Sequence, residues 1–275
     1  MFNDFLEKEL TISFIEKSYS KIFKIENFLS EEQYKLIDDN IPKFKSDDYK
    51  ILNPDFDNKE AQHQLKFHLN EVSKENYEKY VYSNPILENF VQTIKNPIFV
   101  NKILNKLFYK ILASRIKDKK TFLKLFIKKN RAVYEKKKSF IDKFIYNNFI
   151  STVEFAYMLN GAESFPHTDG MKKIISLMLY FPEKNFSYDI KKNLGTSFFK
   201  SNEFGLRPND IIGKTSTLEE TKKFKERNKI ETTFPFEKKT LFGFIKSHNS
   251  WHSVEKVQIP NDSIRKNINI NILLI

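Results

Sequence analysis

Phe165-Pro166-His167-Thr168-Asp169-Gly170 leads into Ile174-Ile175-Ser176-Leu177-Met178-Leu179-Tyr180-Phe181. The second stretch is rich in strand formers and is bounded by Gly170 and Pro182, so it reads as a β-strand. Alternate residues of a strand share a face. Ile175, Leu177, Leu179 and Phe181 therefore form an apolar face, and Ser176, Met178 and Tyr180 a mixed one. The end of the chain repeats the pattern: Ile268, Ile270 and Ile272 stand on one face, Arg265, Asn267, Asn269 and Asn271 on the other. Two such strands in one chain predict a sheet whose apolar side is covered by helices and whose more polar side lines a pocket. A half-exposed sheet with a solvated polar face is the simpler alternative.

Working outward, Ser151–Leu159 alternates as a strand does, and Thr196–Phe199, Thr240–Ile245, His252–Val257 and Asn267–Ile275 complete a series of short strands. Such a series predicts a sandwich or barrel. An excursion over residues 201–236 interrupts it, with a helix expected at Thr217–Asn228 behind a Thr217/Glu220 capping box. Residues 1–150 read as mainly helical. Ser30 and Gln33 form a capping box that starts a helix through Leu36 and Ile37. Further helical patterns cover Ala61–Lys79, Pro85–Thr93 and Val100–Lys129, and Asn53-Pro54 marks a loop. Ile103, Leu107, Ile111 and Leu112 make one stripe of the last pattern, with its lysines on the other side. The expected fold class is α+β with a mainly β core. One domain spans 1–275: a helical part over 1–150 supports a β core over 151–275.

Of 275 residues, 40% are hydrophobic and 30% charged, enough for a packed core. Cysteine is absent, which excludes a disulfide scaffold, a zinc finger, a thiolate iron–sulfur site and a cysteine nucleophile. No apolar run approaches the ~20 residues of a spanning helix, and acidic residues near the N-terminus argue against a secretion signal. A soluble, cytoplasmic protein is expected. The net charge of +12 is concentrated between residues 101 and 146. Such a basic segment attracts nucleic acid or an anionic surface, or is a solvated helix face. Few of these cations are arginine, which disfavours base-reading nucleic-acid recognition.

His167 and Asp169 are an i, i+2 pair expected at the start of a strand, so an imidazole and a carboxylate point the same way. His252 stands in Trp251-His252-Ser253-Val254 at the head of a late strand, and Arg265 opens the last one. Two imidazoles and one carboxylate with open positions make the facial triad of non-haem Fe(II) oxygenases. His248 is the competing third ligand, and a structural His167–Asp169 hydrogen bond is the competing use of that pair. His63 and His68, near Asp55 and Asp57, suit neither one helix face nor one strand face and read as surface residues. Trp251 reads as a packing residue or a pocket wall.

In this order and spacing the chain resembles the Fe(II)- and 2-oxoglutarate-dependent dioxygenases, in particular their prolyl-4-hydroxylase-like branch. The resemblance rests on Asn27-Phe28-Leu29-Ser30-Glu31-Glu32, Tyr157, His167-Thr168-Asp169, Gly195-Thr196-Ser197-Phe198-Phe199, His252-Ser253-Val254 and Arg265. It departs where a second glycine common in the family is Thr196, and in the long excursion. It implies a double-stranded β-helix, or cupin-like jelly roll, backed by N-terminal helices. It also implies Fe(II) on His167, Asp169 and His252, with 2-oxoglutarate and O2 as co-substrates. Oxidative decarboxylation to succinate and CO2 would accompany C–H oxidation, typically hydroxylation, of a small-molecule or peptidyl substrate. Arg265 would meet the distal carboxylate of 2-oxoglutarate through a two-pronged charge-assisted hydrogen bond. Tyr157 and Tyr180, read as sharing inner-face parity, would add hydroxyl contacts, and Asn267 would point into the same pocket. Arg265 as a surface ion pair and Tyr180 as plain core are the rival readings. Asp169 argues against a halogenase, which has a small residue there. A nucleic-acid demethylase, usually marked by a second arginine soon after the first, and a silent jelly-roll binding protein are the alternatives.

Overall fold

The computed structural model of the chain describes residues 2, 4–15, 20–44, 47, 66–71, 74–134, 140–170, 172–203, 206–207, 211–212, 215 and 217–275. Two sheets face each other. The larger runs, neighbour to neighbour, β1 (Ile12–Phe14), β2 (Lys21–Ile25), β12 (Leu241–Ile245), β7 (Lys173–Phe181), β14 (Arg265–Leu274), β5 (Tyr146–Met158) and β3 (Lys66–Leu69). Strand β4 (Lys129–Ala132) pairs in parallel with β5. The smaller sheet runs β11 (Lys229–Phe234), β8 (Thr196–Lys200), β13 (His252–Val254) and β6 (Ser164–His167). A separate ribbon joins β9 (Leu206–Arg207) to β10 (Ile211–Ile212). From β5 onward the chain crosses from large sheet to small and back: β5 large, β6 small, β7 large, β8 and β11 small, β12 large, β13 small, β14 large. That winding is a double-stranded β-helix, or jelly roll.

The alternation read in the sequence sets which face is which. Ile175, Leu177 and Leu179 of β7 and Ile268, Ile270 and Ile272 of β14 are fully buried in one core with Phe90, Ile94, Phe99 and Ile103. Those last four come from α2 (Pro85–Lys95) and α3 (Pro97–Ser114), which cover the outer face of the large sheet. Burying each such side chain contributes roughly 1.5–3 kcal/mol. Both helices begin as their sequences dictate. Asn84 and Asn96 accept hydrogen bonds from the first free N–H groups, and Pro85 and Pro97 fill positions that need no donor. The capping box of α1 (Glu31–Asn40) is complete, with Ser30 Oγ and Gln33 Oε1 each accepting the other's backbone N–H at 3.1 Å. From α1, Tyr34 stacks on Phe181 and its hydroxyl donates to the Tyr180 carbonyl at 3.0 Å. A second core, with Phe198, Phe234, Phe236 and Phe242, fills the space between the sheets.

Several sequence expectations shift. The first core strand begins at Tyr146, and the N-terminal part adds β1, β2, β3 and β4, so it is less purely helical than its periodicity predicts. Within Ala61–Lys79, residues 66–69 form an edge strand; residues 61–65, with His63, Asp55, Asp57 and the Asn53-Pro54 loop, lie outside the described residues. The pattern over Val100–Lys129 is two helices, broken after Ser114 and restarted at α4 (Lys119–Ile127) by the Asp118 cap. The excursion after β8 does contain a helix, α5 (Leu218–Arg227), capped by Thr217. Its last part is β11, which pairs with β8 and belongs to the core.

Gly195 immediately precedes β8, beside the end of β11. An added Cβ would overlap the Phe234 carbonyl oxygen and reach within 2.9 Å of its carbon. Backbone cannot swing aside as a flexible side chain does, so Gly195→Ala is expected to lower stability by about 1–3 kcal/mol. Urea denaturation of the variant against the natural chain checks this; an unchanged midpoint would show that the two strands part freely.

Candidate active site

The pairing of β6 with β13 sets His252 opposite His167. Asp169 follows the end of β6, so the His-x-Asp pair closes one strand rather than opening one. The three side chains converge: one ligand atom from each lies within 4.8 Å of the others. His252 Nε2 stands 4.0 Å from Asp169 Oδ2, and the two imidazole centroids are 4.3 Å apart. His248 does not belong to this group or to the cavity wall.

The tautomers follow from what each ring touches. His167 Nδ1 lies 2.7 Å from the Phe165 carbonyl oxygen, and His252 Nδ1 lies 3.0 Å from that of Ser250. A carbonyl only accepts, so both Nδ1 atoms carry the proton and both Nε2 lone pairs are left for a ligand. Burial, with the neighbouring His252, holds the His167 pKa down to about 3, and burial also lowers that of His252. Asp169 is held well below the usual carboxylate range. Burial raises its pKa, but Lys173 and the two imidazoles outweigh that. Lys173 Nζ donates to Asp169 Oδ1 at 2.8 Å and Ser176 Oγ to Oδ2 at 3.1 Å. Two neutral imidazoles and an anchored carboxylate on one side of an open cavity are the donor set of a first-row divalent ion with free coordination positions.

That cavity, about 260 Å³, extends from the three residues along the inner face of the large sheet. Arg265 is buried in its wall. Its Nε donates to the Leu194 carbonyl at 2.8 Å and its Nη1 to Asn267 Oδ1 at 2.7 Å. The rings of Phe236 and Tyr180 lie 4.9 and 5.4 Å from the guanidinium carbon. Burial lowers its pKa, yet among the described residues no carboxylate forms an ion pair with it. Because arginine only donates, Asn267 must present its oxygen to Arg265, and its amide then donates to Asn269 Oδ1 at 2.7 Å. Asn269 in turn donates to Glu154 Oε1 at 3.2 Å. One guanidinium thus orients a polar chain along β14.

Tyr180 stands behind this wall, its hydroxyl 2.7 Å from Thr196 Oγ1, and Thr196 itself lines the cavity. Tyr157 does not reach the cavity. It faces the helices, edge-on to Phe44 at 4.3 Å, while Ala156 and Met158 face inward. On β5 the apolar set Val153, Phe155 and Tyr157 points outward, as the apolar sets of β7 and β14 do. Applying that rule to β5 exposes the error and finds Glu154, which the sequence reading omits. His68 is not a surface residue. On edge strand β3, across from Ala156, its Nδ1 hydrogen-bonds Glu154, burial lowers its pKa, and with Lys66 it completes the cavity wall. Glu154 has its pKa lowered to about 2: burial raises it, but His68, Lys66 and Asn269 together prevail. Trp251 packs on Phe224, away from the cavity.

No family model and no curated protein matches this chain. Among solved structures it is similar to a prolyl-4-hydroxylase of Pseudomonas putida, at 9% identity over 94% of each chain with a TM-score of 0.40. It is also similar to SnoN, a non-haem α-ketoglutarate-dependent epimerase of nogalamycin biosynthesis. That match has 6% identity over 92% of this chain and 78% of the other, with a TM-score of 0.43. A 2OG-Fe(II) oxygenase-family protein of Burkholderia pseudomallei matches at 11% identity and a TM-score of 0.28, over 46% of each chain. At such identities and scores, the reading of the site rests on this chain's own residues.

Proposed function

We propose that the chain is an Fe(II)- and 2-oxoglutarate-dependent oxygenase, a hydroxylase of a small-molecule or peptidyl substrate. One observation carries the reading. A buried guanidinium without a carboxylate partner among the described residues shares a cavity with a preorganised His–Asp–His set. An isolated buried charge is costly, and a dicarboxylate reaching from a metal to Arg265 supplies the missing anion.

In this reading His167, Asp169 and His252 would hold Fe(II). The bound iron would supply O2 activation, coupling decarboxylation of 2-oxoglutarate to succinate and CO2 with oxidation of a substrate C–H bond. The chain's own residues do the rest. The Phe165 and Ser250 carbonyls fix the imidazoles, and Lys173 and Ser176 aim the Asp169 carboxylate. Arg265 binds the distal carboxylate of the co-substrate, and Asn267 holds the guanidinium in place. The phenylalanine core between the sheets keeps water from that end. Lys66, His68 and Glu154 give the cavity a charged wall suited to a polar substrate.

The test uses protein stripped of metal and then loaded anaerobically with Fe(II) and 2-oxoglutarate. Stripping matters because Ni²⁺, Cu²⁺ and Zn²⁺ outcompete Fe²⁺ at such sites. A visible absorption band requiring both ligands, followed by O2-dependent succinate release, is expected. Iron-loaded protein that gives neither band nor succinate would sink the enzyme reading and leave a jelly-roll binding protein.

A further inference from the structure

Half of the net charge of +12 lies in residues 116–134, a stretch that also exposes apolar side chains. Residues 116–134 carry seven Lys+Arg (Lys117, Lys119, Lys120, Lys124, Lys128, Lys129, Arg131) and one acid, Asp118. Helix α4 lies within this stretch and is poorly buried: of its nine residues only Leu125 is buried. Taking Leu125 as the inward direction, Leu123 and Ile127 stand about 160° away on either side of the outermost line. Lys119, Lys120 and Lys124 flank them at about 100–140°. Leu123, Phe126 and Ile127, with Ile116 just before the helix, are 55–68% exposed. The Asn147 side chain donates to the Lys124 carbonyl at 2.8 Å, which brings the start of β5 against α4. Exposed Phe144 and Ile145, immediately before that strand, belong to the same end of the molecule.

An outward apolar ridge with lysines along its flanks is not explained by folding, since a helix stabilised by its own domain turns its apolar side inward. It is the pattern of a helix that lies in a lipid interface. We propose that α4 and its neighbours bind an anionic lipid surface, with Leu123, Phe126 and Ile127 entering the headgroup boundary and the lysines contacting lipid phosphates and carboxylates. Lipid is favoured over nucleic acid because the apolar apex has nothing to gain from a phosphate backbone. Lysine heads, as point charges, serve a fluid anionic surface without fixed geometry. The mode is peripheral: among the described residues no helix is long and apolar enough to cross a membrane. The inference does not depend on the enzymatic reading.

Co-flotation of the full chain with vesicles of phosphatidylcholine and phosphatidylserine in a 7:3 ratio tests it, against pure phosphatidylcholine vesicles and a mixed-sequence DNA duplex. Binding to the anionic vesicles alone is expected, weakening in high salt. A Leu123→Ser, Phe126→Ser, Ile127→Ser variant is expected to bind at least about tenfold more weakly, with unchanged circular dichroism and thermal midpoint. Lys119→Glu, Lys120→Glu, Lys124→Glu is expected to abolish binding. Absence of vesicle binding at low salt overturns the proposal. So does vesicle binding that the serine variant leaves intact, or DNA binding lost only in the glutamate variant. A concentration-dependent dimer that the serine variant abolishes, without vesicle binding, would instead assign the ridge to a second copy of this chain.

Discussion

In an Asp169→Ala variant, Fe(II) is expected to bind at least about 100-fold more weakly than in the natural chain. Altering a group that merely orients a ligand typically costs 10–100-fold, and Asp169 is placed as a ligand itself. The structure separates this effect from misfolding. Asp169 is held by Lys173 and Ser176 at the rim of the cavity, outside both apolar cores. Removing it leaves the Lys173 ammonium without its carboxylate, a penalty of about 1–3 kcal/mol, while the two sheets stay packed. Anaerobic calorimetric titration with Fe(II) measures the affinity, and a thermal melt without metal measures the fold. His252→Ala is expected to behave alike in the titration. His248→Ala, at a residue that belongs to neither the triad nor the cavity wall, is expected to leave it unchanged. Because both triad imidazoles are held neutral by burial, Fe(II) affinity is expected to stay nearly flat between about pH 7 and 6, where an ordinary histidine site weakens. Undiminished iron binding in Asp169→Ala would place the metal elsewhere.

The second large effect concerns Arg265, where ligand binding should fall while the ligand-free fold holds. Truncating one partner of a buried charge pair costs about 2–5 kcal/mol of binding. Arg265→Ala is therefore expected to weaken 2-oxoglutarate binding to the Fe(II)-loaded protein by roughly 30-fold to several-thousand-fold. The ligand-free fold is not expected to suffer equally. It loses a guanidinium packed on Tyr180 and Phe236, but also a buried charge that no described carboxylate neutralises, and removing such a charge offsets much of the lost packing. The thermal midpoint without ligand should change little, while the upward shift that 2-oxoglutarate gives the natural protein disappears, as linkage requires. Arg265→Lys keeps the charge but not the fork held by Leu194 and Asn267, and is expected to recover only part of the affinity. If Arg265→Ala binds 2-oxoglutarate normally, the guanidinium does not hold the distal carboxylate.

The chain's local chemistry was legible wherever a strand had two distinguishable faces. In β7 and β14 the isoleucines and leucines occupy every second position, so the buried outer face and the polar inner face follow from pleat geometry alone. Ser30 with Gln33, Asn84 with Pro85, and Asn96 with Pro97 likewise fix where helices begin, because caps satisfy N–H groups within a few residues. His167, Asp169, His252 and Arg265 were identifiable as candidates because their chemistry is uncommon and their placement relative to strands is local.

What the sequence could not decide depends on pairing between distant segments. The alternation of β5 groups Tyr157 with Val153 and Phe155, but only the pairing of β5 with β14 aligns that set with the buried outer face of Ile268 and Ile270. His68 and Glu154 became neighbours only when residues 66–69 joined the edge of the large sheet, a contact across 86 positions of chain that no spacing rule reports. The lysines of α4 were evident, but whether Leu123, Phe126 and Ile127 face the core or the solvent depends on the break after Ser114, which redirects the second helix. The residues by themselves determined the chemistry available to this protein. The tertiary structure determined which of those groups share a cavity, since backbone hydrogen bonding between remote strands, and not sequence proximity, sets the distances at which charge, lone pairs and ligands interact.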